Sequence, residues 1–171
     1  MKATIWVALL RAVNVGGTGK LPMAELRAMC EAAGFTEVRT YIASGNVAFR
    51  APGPEARLKA ALESALARHA GKPVGVLVRT HAELIAVAAA NPFADAAGNR
   101  LMVSFLDAPP PTDALDRVTH RQGERIALGR REIYIDYGDR MRDSKLKVPA
   151  AKAGTARNLN TVLRLIEMSH P

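Results

Sequence analysis

The chain holds one cysteine, Cys30, in 171 residues. An internal disulfide is therefore impossible, and a lone thiol cannot supply a thiolate metal site. Histidine is almost as scarce: His69, His81, His120 and His170 are scattered without metal-ligand spacing, so neither a metal nor another cofactor is expected. Aromatic residues make up only 5% of the chain. The K/R-G-F/Y-G/A-F-V-x-F/Y signature of base-stacking sheets is missing, so any nucleic-acid contact falls mainly on phosphates. No apolar run reaches the roughly 18 residues of a membrane span, and no membrane partner is expected. A single Lys2 precedes a short apolar stretch with no small-residue cleavage pattern, which points to a reducing cytoplasm.

With 49% hydrophobic and 23% charged residues, the composition is that of a globular protein. A chain of this length buries roughly 70% of its unfolded surface and folds without staples. The net charge is +8. Residues 117–171 carry 12 Lys and Arg against 6 Asp and Glu, so they supply +6 of it. The densest stretch is Arg140, Arg142, Lys145, Lys147, Lys152 and Arg157, opposed by Asp143. Such a balance favours anionic partners, phosphorylated metabolites or nucleic acid, while a solvated basic face is the plainer reading. Only 7 of the 24 cations are lysines, and three of those fall at 145, 147 and 152.

Thr4 to Leu10 is nearly continuously apolar, as in a strand buried on both faces. A helix follows from Pro22, as its first residue, to a stop at Gly34, with Leu26, Met29, Cys30 and Ala33 on one face. Val38 to Ala43 and Asn46 to Arg50 form a hairpin through Ser44, Gly45 and Asn46. Pro54 to His69 is a second helix, closed by Gly71, before a strand at Val74 to Val78. Strand, helix, strand, strand, helix, strand is the split order of a ferredoxin-like α+β sandwich, here residues 1–79. Residues 80–171 make a second α+β half with a basic C-terminal helical segment. In it, Thr80 and Glu83 form a capping box, Leu101 to Leu106 is a strand, and a short helix lies around Asp113 to Val118. Arg125 to Leu128 and Glu132 to Tyr137 form a hairpin in which Tyr134 faces away from Ile133 and Ile135, toward solvent. Lys145 to Ala153 reads as a helix broken at Gly154. Thr155 or Asn158 then caps a last helix that buries Val162, Leu163, Leu165 and Ile166.

The loop from Asn14 to Lys20 (NVGGTGK) lies between a strand and a helix N-terminus, where backbone N–H groups and the helix dipole attract anions. It is neither a Walker loop nor a dinucleotide fingerprint. A tight structural connection and an anion cradle both fit it. Ser44 lacks the G-x-S-x-G setting of a nucleophile, and Asp136, Asp139 and Asp143 sit among arginines as surface ion pairs.

The segments Ala8 to Gly17, Lys20 to Arg27, Thr40 to Val47 (TYIASGNV), Ser144-Lys145-Leu146 and Thr155 to Val162 (TARNLNTV) together resemble the bacterial domain-of-unknown-function family 1697. The chain departs from that pattern at Ala12, Ala156 and Leu159, where the family favours Gly, Thr and Trp. The resemblance implies an α+β protein of two ferredoxin-like halves and no established activity. It groups Arg11, Asn14, Gly16 and Gly17; Ser44, Gly45 and Asn46; Lys145; and Arg157, Asn158 and Asn160 as candidate ligand-binding positions, to which the charge pattern adds Lys20 and Lys147.

Three functions compete. One is a cytoplasmic module binding a phosphorylated or nucleic-acid ligand through the glycine-rich loop and the basic C-terminal segment. A second is a small enzyme acting on a phosphorylated metabolite, with Lys20 or Lys145 stabilising charge. The third is a partner-binding protein with no small ligand.

Overall fold

The computed structural model describes residues 2–11, 21–41 and 45–171. The chain divides into two compact units, Met1–Leu84 with Leu165–Pro171, and Ile85–Arg164.

In the first unit, β1 (Thr4–Leu10) is an inner strand, paired with β3 (Asn46–Ala51) on one side and β4 (Val76–Thr80) on the other. Trp6 to Leu10 are all buried, so both faces of the strand are covered, as an apolar run without alternation requires. With β2 (Thr36–Tyr41) outside β3, the antiparallel order is β2-β3-β1-β4. The helices α1 (Met23–Ala32) and α2 (Glu55–Ala70) complete the expected strand and helix sequence. Leu26 and Cys30 of α1 and Leu58, Leu62 and Leu66 of α2 share one cluster with Trp6, Ala8, Leu10, Val47 and Phe49. Several boundary details differ from the sequence reading: β2 begins at Thr36 instead of Val38, and β4 runs from Val76 to Thr80 instead of Val74 to Val78. Pro22 is the N-cap, because its ψ of 140° is extended, and Ala33 is exposed because it is the C-cap, beyond the helical period.

The second unit contains β5 (Leu101–Phe105), β6 (Arg125–Leu128), β7 (Glu132–Asp136) and β8 (Thr155–Asn158), antiparallel in the order β6-β7-β5-β8. By chain position both sheets read second, third, first, fourth. The likeness extends to single residues. Arg79 on β4 and Arg157 on β8 are both buried, and each donates from Nη1 to the carbonyl of the residue before it, Val78 at 3.0 Å and Ala156 at 2.9 Å. Each is followed by a helix cap. Thr80 Oγ1 accepts the Glu83 N–H at 3.1 Å at the start of α3 (His81–Ala89), and Asn158 Oδ1 accepts the Thr161 N–H at 2.9 Å at the start of α4 (Leu159–Met168). The Glu83 carboxylate returns a bond to the Thr80 N–H at 2.8 Å, completing the capping box.

The short helix expected around Asp113 to Val118 is present as a 3-10 helix, Ala114–Arg117. Four other expectations for the second half are corrected. No helix spans Lys145 to Ala153; apart from a 3-10 turn at Pro149–Ala151 that stretch is irregular, because Pro149 lacks an N–H donor at mid-span. Thr155 opens β8 instead of capping a helix, and Leu163 is 45% exposed on α4. Tyr134 does face away from Ile133 and Ile135, but it is buried. Its hydroxyl donates to the Val87 carbonyl at 2.7 Å, and burial, with the Glu132 charge second, pushes its pKa up to about 12.

Candidate anion-binding surface

The basic stretch crosses the second sheet as an extended strap. From 143 to 150 burial alternates strictly: Asp143, Lys145, Lys147 and Pro149 are exposed, while Ser144, Leu146, Val148 and Ala150 are half-buried. Period-two alternation is what an extended chain on an apolar surface gives. Leu146, Val148 and Ala150 pack on a cluster formed by Leu106, Ile126, Ile133 and Ile135. Half-burial of Leu146 and Val148 stabilises the strap by roughly 1 kcal/mol each. Backbone pairing adds to this, since the Lys147 N–H donates to the Thr119 carbonyl and the Thr119 N–H to the Lys147 carbonyl, both at 3.0 Å.

A buried carboxylate buckles the strap down. Glu124, only 2% exposed, accepts the Ser144 hydroxyl at 2.5 Å on one oxygen and the Gln122 N–H at 2.5 Å on the other. The Ser144 oxygen accepts the Leu146 N–H at 3.3 Å in turn, and Arg121 Nε donates to the Glu124 carbonyl at 2.7 Å. The Ser144 bond, above all, holds the Glu124 carboxyl below its ordinary pKa of 4.5. Glu124 escaped the sequence reading because nothing in Q-G-E-R marks a buried acid.

Lys145 and Lys147 thus project from the same side of a fixed strand, two residues and about 6.6 Å apart. Neither ammonium is in an ion pair among the described residues. Arg142 and Lys152 are exposed nearby, and Arg140 Nη1 donates to Gln122 Oε1 at 3.4 Å. Asp143 shares the outward side and opposes them. Two other acids are engaged elsewhere, Asp136 with Arg125 at 2.6 Å and Asp139 with Arg100. Among the described residues no group of three His, Cys, Asp or Glu side chains is placed to hold a metal.

The other candidate positions separate into three sets. Asn14, Gly16, Gly17, Lys20 and Ser44 lie outside the described residues. In the first unit, Arg11 is exposed at the end of β1, where the Leu10 N–H donates to the Gly45 carbonyl at 2.8 Å and the Arg11 N–H to the Gly75 carbonyl at 2.9 Å. The end of β1 and the β2–β3 turn therefore meet at one end of the sheet. Asn46 is buried and closes that hairpin, its amide donating to the Tyr41 carbonyl at 3.0 Å. In the second unit, Arg157 is 7% exposed and bonded to Thr155 Oγ1 at 2.8 Å; loss of solvent lowers its pKa to about 10. Asn158 caps α4. Asn160 sits over Gly98, where an added Cβ would lie 2.1 Å from its Oδ1. Asn46, Arg157, Asn158 and Asn160 all make local structural contacts.

An open surface pocket in the first unit is lined by Glu37, Arg39, Arg50, Ser169 and His170, among others. Its cations are occupied: Arg50 pairs with Glu37 at 2.6 Å, and Arg39 donates to the Met168 carbonyl at 3.0 Å. An incoming anion would have to displace these contacts, which Lys145 and Lys147 do not require.

No curated protein matches the chain. A solved structure, that of a conserved bacterial protein from Streptococcus pneumoniae, is similar over 98% of this chain and 99% of its own, with 25% identity and a TM-score of 0.82. The family model described as protein of unknown function DUF1697 matches residues 3–134, more than half of the chain, including β1 to β6 and most of β7. By that match, the chain belongs to the DUF1697 family.

Proposed function

We propose that this protein is a cytoplasmic module that binds an anionic ligand, phosphorylated or nucleic acid, on the strap of its second unit. One observation carries the reading: Lys145 and Lys147 are held outward and unpaired on a chain fixed at Ser144, Leu146 and Val148. Exposed lysines on a mobile tail lose conformational entropy when they close on a phosphate, whereas here the backbone is already ordered. The loop Asn14–Lys20 is a second contributor proposed from sequence alone. The test is a titration of the full chain with inorganic polyphosphate over a range of salt, beside the triple variant Lys145→Ala, Lys147→Ala, Lys152→Ala. Affinity should fall with salt, and the variant should bind more weakly with a flatter dependence. Equal binding by both proteins would return the strap to a solvated basic face.

A further inference from the structure

We infer that the partner of the strap is double-stranded nucleic acid, gripped by its phosphates and read without regard to base sequence. This rests on the anion-binding reading above and adds the ligand class. Its basis is what surrounds the lysines. All eight aromatic residues are described, and none is exposed: Trp6, Phe35, Phe49, Phe105 and Tyr134 are buried, and Tyr41, Phe93 and Tyr137 are partly so. Single-strand binders draw much of their affinity from bases stacked on exposed rings. That source is missing here, so charge neutralisation is what remains, and it is strongest where phosphates are densest, on a duplex.

The shape of the strap agrees. It lies flat on the apolar face of a sheet, with no helix or ribbon projecting from it to enter a groove. Base edges stay out of reach of a flat surface. An extended chain with lysines about 6.6 Å apart presents its charges as a line, as the phosphates of one duplex strand do. A compact phosphorylated metabolite would instead need donors converging from several sides. Within the strap, from Asp143 to Lys152, the exposed charges are those of Lys145, Lys147 and Lys152 opposed by Asp143, whose replacement by Asn should strengthen binding.

The experiment compares the full chain against a 16-base-pair duplex, the corresponding single strand, and ATP, each across a salt series. The duplex should bind most tightly, exchange of an A·T-rich for a G·C-rich duplex should alter affinity by less than about threefold, and Lys145→Ala with Lys147→Ala should flatten the slope of log affinity against log salt by about 1.8. Circular dichroism of the variant confirms that it is folded; both residues are exposed. A single strand bound as tightly as the duplex, ATP bound as tightly as the duplex, or a strong base preference would each overturn the duplex assignment while leaving anion binding intact. Absence of binding to every probe, polyphosphate included, would overturn both.

Discussion

Removing the Ser144 hydroxyl should unfasten the strap without disturbing the sheet beneath it. The substitution Ser144→Ala deletes one bond to a charged acceptor, the 2.5 Å contact to Glu124, and a weak one, the 3.3 Å contact from Leu146. A hydrogen bond to an ionised group contributes about 1.5–3 kcal/mol. Glu124 keeps its second donor, the Gln122 N–H, so the carboxylate is not orphaned and no further desolvation cost is added. Local opening should therefore become easier by about 1.5–3 kcal/mol, or about 10- to 150-fold in the open population.

Trypsin reads that population directly, because it cuts after Lys145 and Lys147 only when the strap lifts away. Cleavage at those two bonds, followed by mass spectrometry, should accelerate by the same factor in Ser144→Ala. It should accelerate to a similar extent in Glu124→Gln, and the double variant should fall short of the combined effects, since both changes break one contact. Rates within threefold of the parent, or full additivity, would show that the buckle does not hold the strap.

Gly154→Ala should destabilise the fold by about 1–3 kcal/mol in urea unfolding, because its Cβ would lie 2.2 Å from the Phe105 carbonyl oxygen. Cys30, buried with its pKa pushed up to about 12 chiefly by desolvation, should resist maleimide at pH 8 in the native protein and react once the chain is unfolded. His81 is held below its ordinary pKa of 6.5, first by burial and then by the charge of His170, so the unfolded chain takes up this proton more readily. Stability should fall as pH drops through 6.5 toward the folded pKa, and His81→Gln should remove that part of the pH dependence of the melting temperature. In the glycine-rich loop, Lys20→Ala should weaken anion binding by about 1–3 kcal/mol with no loss of melting temperature, whereas unchanged affinity would confine the site to the strap.

The parts of this fold that were legible in sequence are those where one physical cause dominates. Trp6 to Leu10 is apolar at every position, so only a doubly covered strand suits it, and Thr80 with Glu83 spells out its own cap. The strap was misread because its alanines at 150, 151 and 153 suggest helix, while the deciding pattern is the spacing of Leu146, Val148 and Ala150 by two around Pro149. Thr155–Asn158 has no strand composition of its own. It is a strand because β5 offers an edge to pair with, which is a tertiary cause. Tyr134 shows the same limit: alternation gives its face, but not that the face is covered. A related second half was expected from the family resemblance, but the fourth strand of its sheet was not, since Thr155 and Asn158 read as helix caps. Of the candidate site, the lysines were visible from charge alone, whereas the Glu124 buckle that orients them joins residues 20 apart and emerges only on folding.

Lysine acylation in the presence and absence of a bound duplex, read by mass spectrometry, tests most directly where the anion sits. Lys2, Lys72, Lys145 and Lys147 are all exposed, so each should react readily in the free protein. With duplex bound, Lys145 and Lys147 should be protected several-fold while Lys2 and Lys72 react as before. Equal protection at all four, or none at Lys145 and Lys147 under saturating duplex, would contradict a binding surface on the strap.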